Sequence, residues 1–211
     1  MKTILVILDG LSYVVAYDAM GYLHGECTAG RGRLYSLTCE LPSLSRPLYE
    51  CILTGVPPVV SGVVHNEVIR LSHHHSIFYF ARAAGLTTAA AAYHWVSELY
   101  DRAPFNVAED RHTLEPALPI QYGHFYHADH YPDSHVFEDA ESLRVRHKPD
   151  FLLIHSMNID DAGHCHGLST PQYRHAGILP EERQVPLFVF GDAFTLSPAR
   201  PLQMPVARRG P

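Results

Sequence analysis

Nothing in the opening of this chain is apolar for long enough to cross a bilayer. The run Met1 to Asp9, MKTILVILD, ends on a carboxylate after one strand's length, so no membrane partner is expected. Basic clusters are also missing. Arg208-Arg209 belongs to a tail and the net charge is −6 with His neutral, which gives no nucleic-acid patch. The four cysteines (Cys27, Cys39, Cys51, Cys165) form no C-x-x-C pair. Asp9 interrupts the only candidate signal stretch and no small-residue cleavage site follows. Free thiols and a cytoplasmic location are the expectation. Histidine, at 16, is abundant instead. Many imidazoles beside few thiols suit a hard or borderline metal held through imidazole and carboxylate.

With 211 residues and 46% apolar content, one sizeable core and one domain over 1–196 are expected. The four prolines from Ser197 onward suggest an extended tail over 197–211. Strand-like runs sit at Ile4–Leu8, Thr87–Ala92, Phe151–Ile154 and Pro186–Phe190. Helical patterns cover Tyr13–Leu23, Pro47–Thr54, Ser76–Ala84 and Ser134–Arg146. This alternation predicts an α/β fold with a mainly parallel sheet flanked by helices.

Three segments carry chemistry. The first is the opening strand, apolar on both faces as in a buried parallel strand, with Asp9 and Gly10 at its carboxyl end, where open α/β sheets place ligands. In the second, Ser45 stands before Arg46-Pro47 and an apolar-periodic stretch that stops at Gly55. That pattern is a helix start with Ser45 as N-cap, where the dipole also favours phosphate or a developing alkoxide. Capping is the plainer role for Ser45. The third is Asn158-Ile-Asp-Asp-Ala-Gly-His-Cys-His-Gly167. Asp160 and His164 are four apart and would share one face of a helical turn, suited to one metal ion. Gly163 and Gly167 argue for a loop shaped around something instead.

In this order, the segments resemble the alkaline phosphatase superfamily, in its nucleotide pyrophosphatase/phosphodiesterase branch. The family opens with a strand ending D-G, here Asp9-Gly10. Its nucleophile lies in P-[ST]-x-[ST]-x-P before a helix ending T-G, here Pro42 to Pro47 through Thr54-Gly55, which puts Ser45 at the nucleophile. Val64-His65-Asn66 places Asn66 where the family contacts a phosphoryl oxygen, and Asp160 to Gly167 matches D-x-x-G-H-x-x-G. The resemblance implies a serine nucleophile, a phosphoryl-enzyme and a two-metal site, commonly zinc. Asp9 and Ser45 would serve one ion; Asp160, His164 and a late His would serve the other. Backbone N–H groups at the Ser45 helix start would join Asn66 in stabilising the equatorial oxygens.

One motif of the family is missing. No Asp-His-Gly occurs anywhere in the chain, and only eleven positions separate His164 from His175. A helix and a strand do not fit there, since a parallel crossover needs about a dozen residues. The inference is an internal deletion of a helix and a central strand, leaving an exposed sheet region open to self-association. His175 is either the late metal His or a helix residue stranded at the junction. At most one ion should bind firmly. Two readings follow: a metal-dependent phosphodiesterase or nucleotide pyrophosphatase acting on a small phosphodiester or nucleotide, or a catalytically impaired relative that only binds. The aromatic stretches Tyr93-His94-Trp95 and His124–His135 could wall the leaving group, or simply cover the sheet. The tract His73-His74-His75 reads as a solvated loop.

Overall fold

Thr3–Leu8 (β1) extends along Phe151–Ser156 (β6) in parallel, with Thr3 opposite Phe151 and Leu8 opposite Ser156. This is a computed structural model, and it describes residues 2–166 and 183–191. The main sheet continues through Thr88–Tyr93 (β3) and Tyr122–Tyr126 (β5) to His112–Leu114 (β4), in the order β1-β6-β3-β5-β4. Among the described residues of this sheet, only the β4–β5 pairing is antiparallel. The expected α/β architecture is therefore present, with β3 and β6 at its centre buried at every position.

β3 is nearly all alanine, so helices approach it closely. Asp133–His147 (α8) packs there through buried Val136, Ala140 and Leu143. Ile77–Ala83 (α5) and Trp95–Tyr100 (α6) also pack on β3, and Phe78 of α5 meets the Phe151 ring edge-on at 5.2 Å. β1 differs from its neighbours. It has the sequence of a doubly buried strand, yet among the described residues it pairs only with β6, and Ile4 and Val6 are 53% and 44% exposed.

Several expectations need correction. The Tyr13–Leu23 pattern is two helices, Tyr13–Ala19 (α1) and Gly21–Thr28 (α2), broken at Met20. The Pro186–Phe190 run lies in Gln184–Phe190 (β7), which does not join the main sheet. It pairs antiparallel with Gly32–Thr38 (β2), a strand the apolar pattern did not reveal. The D-x-x-G-H segment is no loop: Asn158–His166 (α9) runs as a helix through Gly163. Short helices at Pro58–Ser61 (α4) and Val107–Asp110 (α7) complete the described elements, with Ser45–Thr54 (α3) discussed below. Gly167, His175 and the tail over 197–211 lie outside the described residues. No described helix is long and apolar enough to cross a membrane.

Candidate functional site

Because β1, β6, β3 and β5 all run in one direction, their carboxyl ends share one edge of the sheet. Asp9 follows β1 at this edge. Its backbone N–H donates to the Ser156 carbonyl (3.0 Å), and its Oδ1 accepts from the Gly10 N–H (2.9 Å). Gly10 has φ 77, a conformation that glycine adopts without the Cβ clash of other residues. The carboxylate is thus aimed by the turn itself.

α3 begins at Ser45. Leu44 is the extended N-cap residue (φ −108, ψ 149) and no side chain caps the helix locally. The N-cap role expected of Ser45 is therefore wrong: Ser45 is already helical, and Gly55 in the left-handed region (φ 75) ends the helix as expected. A distant residue serves the helix start instead. Asn66 Oδ1 accepts the Arg46 backbone N–H at 3.1 Å, which brings Asn66 to the turn that carries Ser45. That bond also occupies one of the N–H groups expected to face a phosphoryl oxygen. The Asn66 carbonyl is committed to the helix, so its NH₂ is the end with donors to offer a ligand.

Arg46 holds this arrangement from beneath. Its guanidinium is 1% exposed, donates to the Val68 carbonyl (3.1 Å) and pairs with Glu98 Oε2 at 2.6 Å. It also stacks 4.7 Å from the Trp95 ring centroid. Glu98 Oε1 accepts the Phe105 N–H at 3.0 Å. The 66–68 turn is thereby tied to α3 at two points.

Tyr49, one turn beyond Ser45 on α3, donates its O–H to Asp9 Oδ2. Burial, then the Asp9 charge, pushes this phenol well above the usual tyrosine range, so it remains a donor. The sequence reading missed Tyr49, Arg46 and Glu98. Only the four-residue spacing from Ser45 to Tyr49 was available as a signal.

Asp160 lies in the first turn of α9 and is 6% exposed; His164 Nε2 is 3.4 Å from its Oδ2. The expected facing pair is formed. Beside it, His155 at the end of β6 is fully buried, and burial takes its imidazole down to about 3, so it is neutral. Its Nδ1 accepts the Tyr93 N–H at 3.3 Å, while its Nε2 finds no partner among the described residues. No group of three or more His, Cys, Asp or Glu among the described residues could hold a metal ion.

The aromatic stretches do meet at this edge. Tyr93 lies 5.0 Å from Trp95 and 5.5 Å from Tyr126, Tyr126 stacks on Tyr131 at 4.7 Å, and the Tyr93 O–H donates to Asp129 (2.6 Å). Tyr93 and Tyr126 are themselves buried, while their neighbours Trp95 and Tyr131 are partly exposed. His75 of the three-histidine tract stacks on Tyr79 at 3.7 Å.

Residues 3–178 match the type I phosphodiesterase / nucleotide pyrophosphatase family. Among solved structures, phosphonoacetate hydrolase from Sinorhizobium meliloti 1021, in complex with phosphonoacetate, aligns with a TM-score of 0.56 at 18% identity. That alignment covers 82% of this chain and 49% of the hydrolase. Human ectonucleotide pyrophosphatase/phosphodiesterase 5 aligns with a TM-score of 0.58 at 16% identity, covering 81% of this chain and 47% of its own. The murine protein of that name, as an inactive variant in complex with AMP, gives 0.56 at 14% identity with the same coverage. No curated protein matches the chain. Identities this low speak to the fold, and the chain spans about half the length of these solved relatives. On the family match over most of its length, the chain belongs to the type I phosphodiesterase / nucleotide pyrophosphatase family of the alkaline phosphatase superfamily.

Proposed function

We propose that this chain is a phosphoester hydrolase in which Ser45 attacks phosphorus and a phosphoryl-enzyme is then hydrolysed. The observation that carries the proposal is the docking of Asn66, from twenty residues away in the chain, onto the first turn of α3 beside Ser45. Because Asn66 engages the helix through its Oδ1, its NH₂ is left with donors at the turn that carries Ser45. Ser45 supplies the nucleophilic oxygen, and the Asn66 NH₂ donates to a phosphoryl oxygen as charge develops there. The partly exposed Trp95 and Tyr131 offer ring faces to a leaving group. The AMP bound by the murine relative makes a nucleotide the substrate class to try first.

The donor set fits a divalent cation in part. Asp160 and His164 offer one carboxylate oxygen and one imidazole nitrogen from one face of α9, and Asp9 with Ser45 offers a carboxylate and a hydroxyl. Each pair falls short of the three protein ligands usual for catalytic zinc. His175 is the proposed third donor for the α9 pair. A bound divalent cation would lower the pKa of a coordinated hydroxyl and offset charge on the phosphoryl oxygens.

The test is turnover of bis(p-nitrophenyl) phosphate with zinc or manganese supplied. Ser45→Ala should abolish it while the circular dichroism spectrum is unchanged, and retained turnover would remove Ser45 from the chemistry. The absence of Asp-His-Gly from the sequence favours a second reading, an impaired relative that binds without turning over. AMP binding by calorimetry in a protein with no turnover would select it.

A further inference from the structure

The edge strands of the two sheets differ in how they are guarded against another strand. An edge presents unpaired N–H and C=O groups, and folded proteins blunt it with shortness, charge or proline. β4 is three residues long, β2 carries Arg33, and β7 carries Pro186. β1 has six residues, Thr3–Leu8, without a charge or a proline, and no described strand lies on its outer side. Its hydrogen bonds fix which groups turn outward. The Thr3 N–H donates to the Asp150 carbonyl (2.8 Å) and the Asp9 N–H to that of Ser156 (3.0 Å), so the odd-numbered residues turn toward β6. Alternate residues of a parallel pair turn the other way, which leaves the main-chain groups of Ile4, Val6 and Leu8 on the open side. The side chains of Ile4 and Val6 are also exposed, while Leu5 and Ile7 pack on the core.

We propose that β1 is an interaction surface for a second copy of this chain, which adds its own β1 antiparallel across a twofold axis beside Val6. Val6 then faces its counterpart and Ile4 faces Leu8 of the other copy. The three outward residues of each strand exchange main-chain hydrogen bonds. The exposed faces of the two strands fall on the same side of the joined sheet, where Ile4 and Val6 pack against their counterparts. Charge favours this direction. Lys2 stands at one end of the strand and Asp9 at the other, so antiparallel pairing brings opposite charges together and parallel pairing brings like ones. With the other described edges blunted, β1 is the match for β1, and the contact closes as a dimer instead of growing into a fibre.

The test is sedimentation velocity of the full chain across a concentration series, with amide hydrogen exchange followed at both ends of the series. Wild type should shift to twice the chain mass as concentration rises. The Ile4, Val6 and Leu8 amides should exchange more slowly in the dimer, while those of Leu5 and Ile7 do not change. Val6→Lys puts a charge at the centre of the contact, on a side chain that already reaches water, and should hold the protein at one chain mass. Val6→Pro removes an outward N–H and no bond to β6, and should do the same. Where Val6→Pro fails to fold, as judged by circular dichroism, Val6→Lys decides. A wild type that stays at one chain mass overturns the proposal, including the case in which another part of the same chain protects the Ile4, Val6 and Leu8 amides. So does a dimer that survives Val6→Lys, or an assembly that grows past two copies.

Discussion

Replacing Arg46 by methionine should destabilise the protein by about 3–5 kcal/mol, the cost of leaving one member of a buried ion pair without its partner. The side chains of Arg46 and Glu98 are 1% and 4% exposed and their charged atoms lie 2.6 Å apart. Once Arg46 is gone, the nearest candidate cation for Glu98 is His94, 3.7 Å away. Burial lowers His94 to about 4, so at pH 7 it is neutral and gives Glu98 no charge. The loss is a large share of the 5–15 kcal/mol that typically holds a domain folded, and should lower the melting temperature by roughly 10 °C. Urea unfolding at pH 7, followed by circular dichroism, measures it. Adding Glu98→Gln removes the stranded charge and keeps an oxygen for the Phe105 N–H, so the double variant should recover much of the loss. A single-variant loss below about 1 kcal/mol, or no recovery in the double variant, would refute the argument. Turnover should fall further than stability explains, because the guanidinium also holds the Val68 carbonyl in the turn that carries Asn66.

Two other outcomes are expected. Asp101 accepts the Ile120 N–H, but its Oδ2 is buried without a partner among the described residues, and burial raises its carboxyl from 3.8 to about 7. The folded state keeps this proton where the unfolded chain has lost it, so stability is full below pH 3.8 and falls as pH rises toward 7. Asp101→Asn should therefore gain on wild type by on the order of 3 kcal/mol between pH 5 and pH 8, and a pH-independent difference in denaturation midpoints would refute this. At most one zinc per chain should survive dialysis, and Asp160→Ala, which breaks the α9 pair, should remove it. Elemental analysis finding two firmly held ions in wild type would show that other residues complete both sites.

Much of the sheet was legible because its strands are short apolar runs between helical patterns. β1, β3, β6 and α8 fall close to where hydrophobic spacing places them. β5 was not legible. Tyr122 to Tyr126 mixes aromatic, glycine and histidine residues, and its strand character depends on packing: a Cβ at Gly123 would lie 2.2 Å from the Phe125 ring. α9 was read as a loop because a glycine inside a helix costs roughly 1 kcal/mol, a local preference that its place in the fold overrides. β7 was legible as a strand but not as part of a second sheet, since an antiparallel partner 150 positions earlier leaves no mark on its own pattern.

For the site, residue order alone determined where the candidate side chains stand: Asp9 after a strand, Ser45 at a helix start, and Asp160 four positions before His164. The tertiary structure decided what each one touches. It set Asn66 on the Arg46 amide, Tyr49 on Asp9, and Arg46 against a glutamate fifty-two positions away. The physical reason is that periodicity records which face of an element is buried. The partner of a buried polar atom is chosen by the packing of elements far apart in the chain, where an unpaired donor or charge costs more than any local preference.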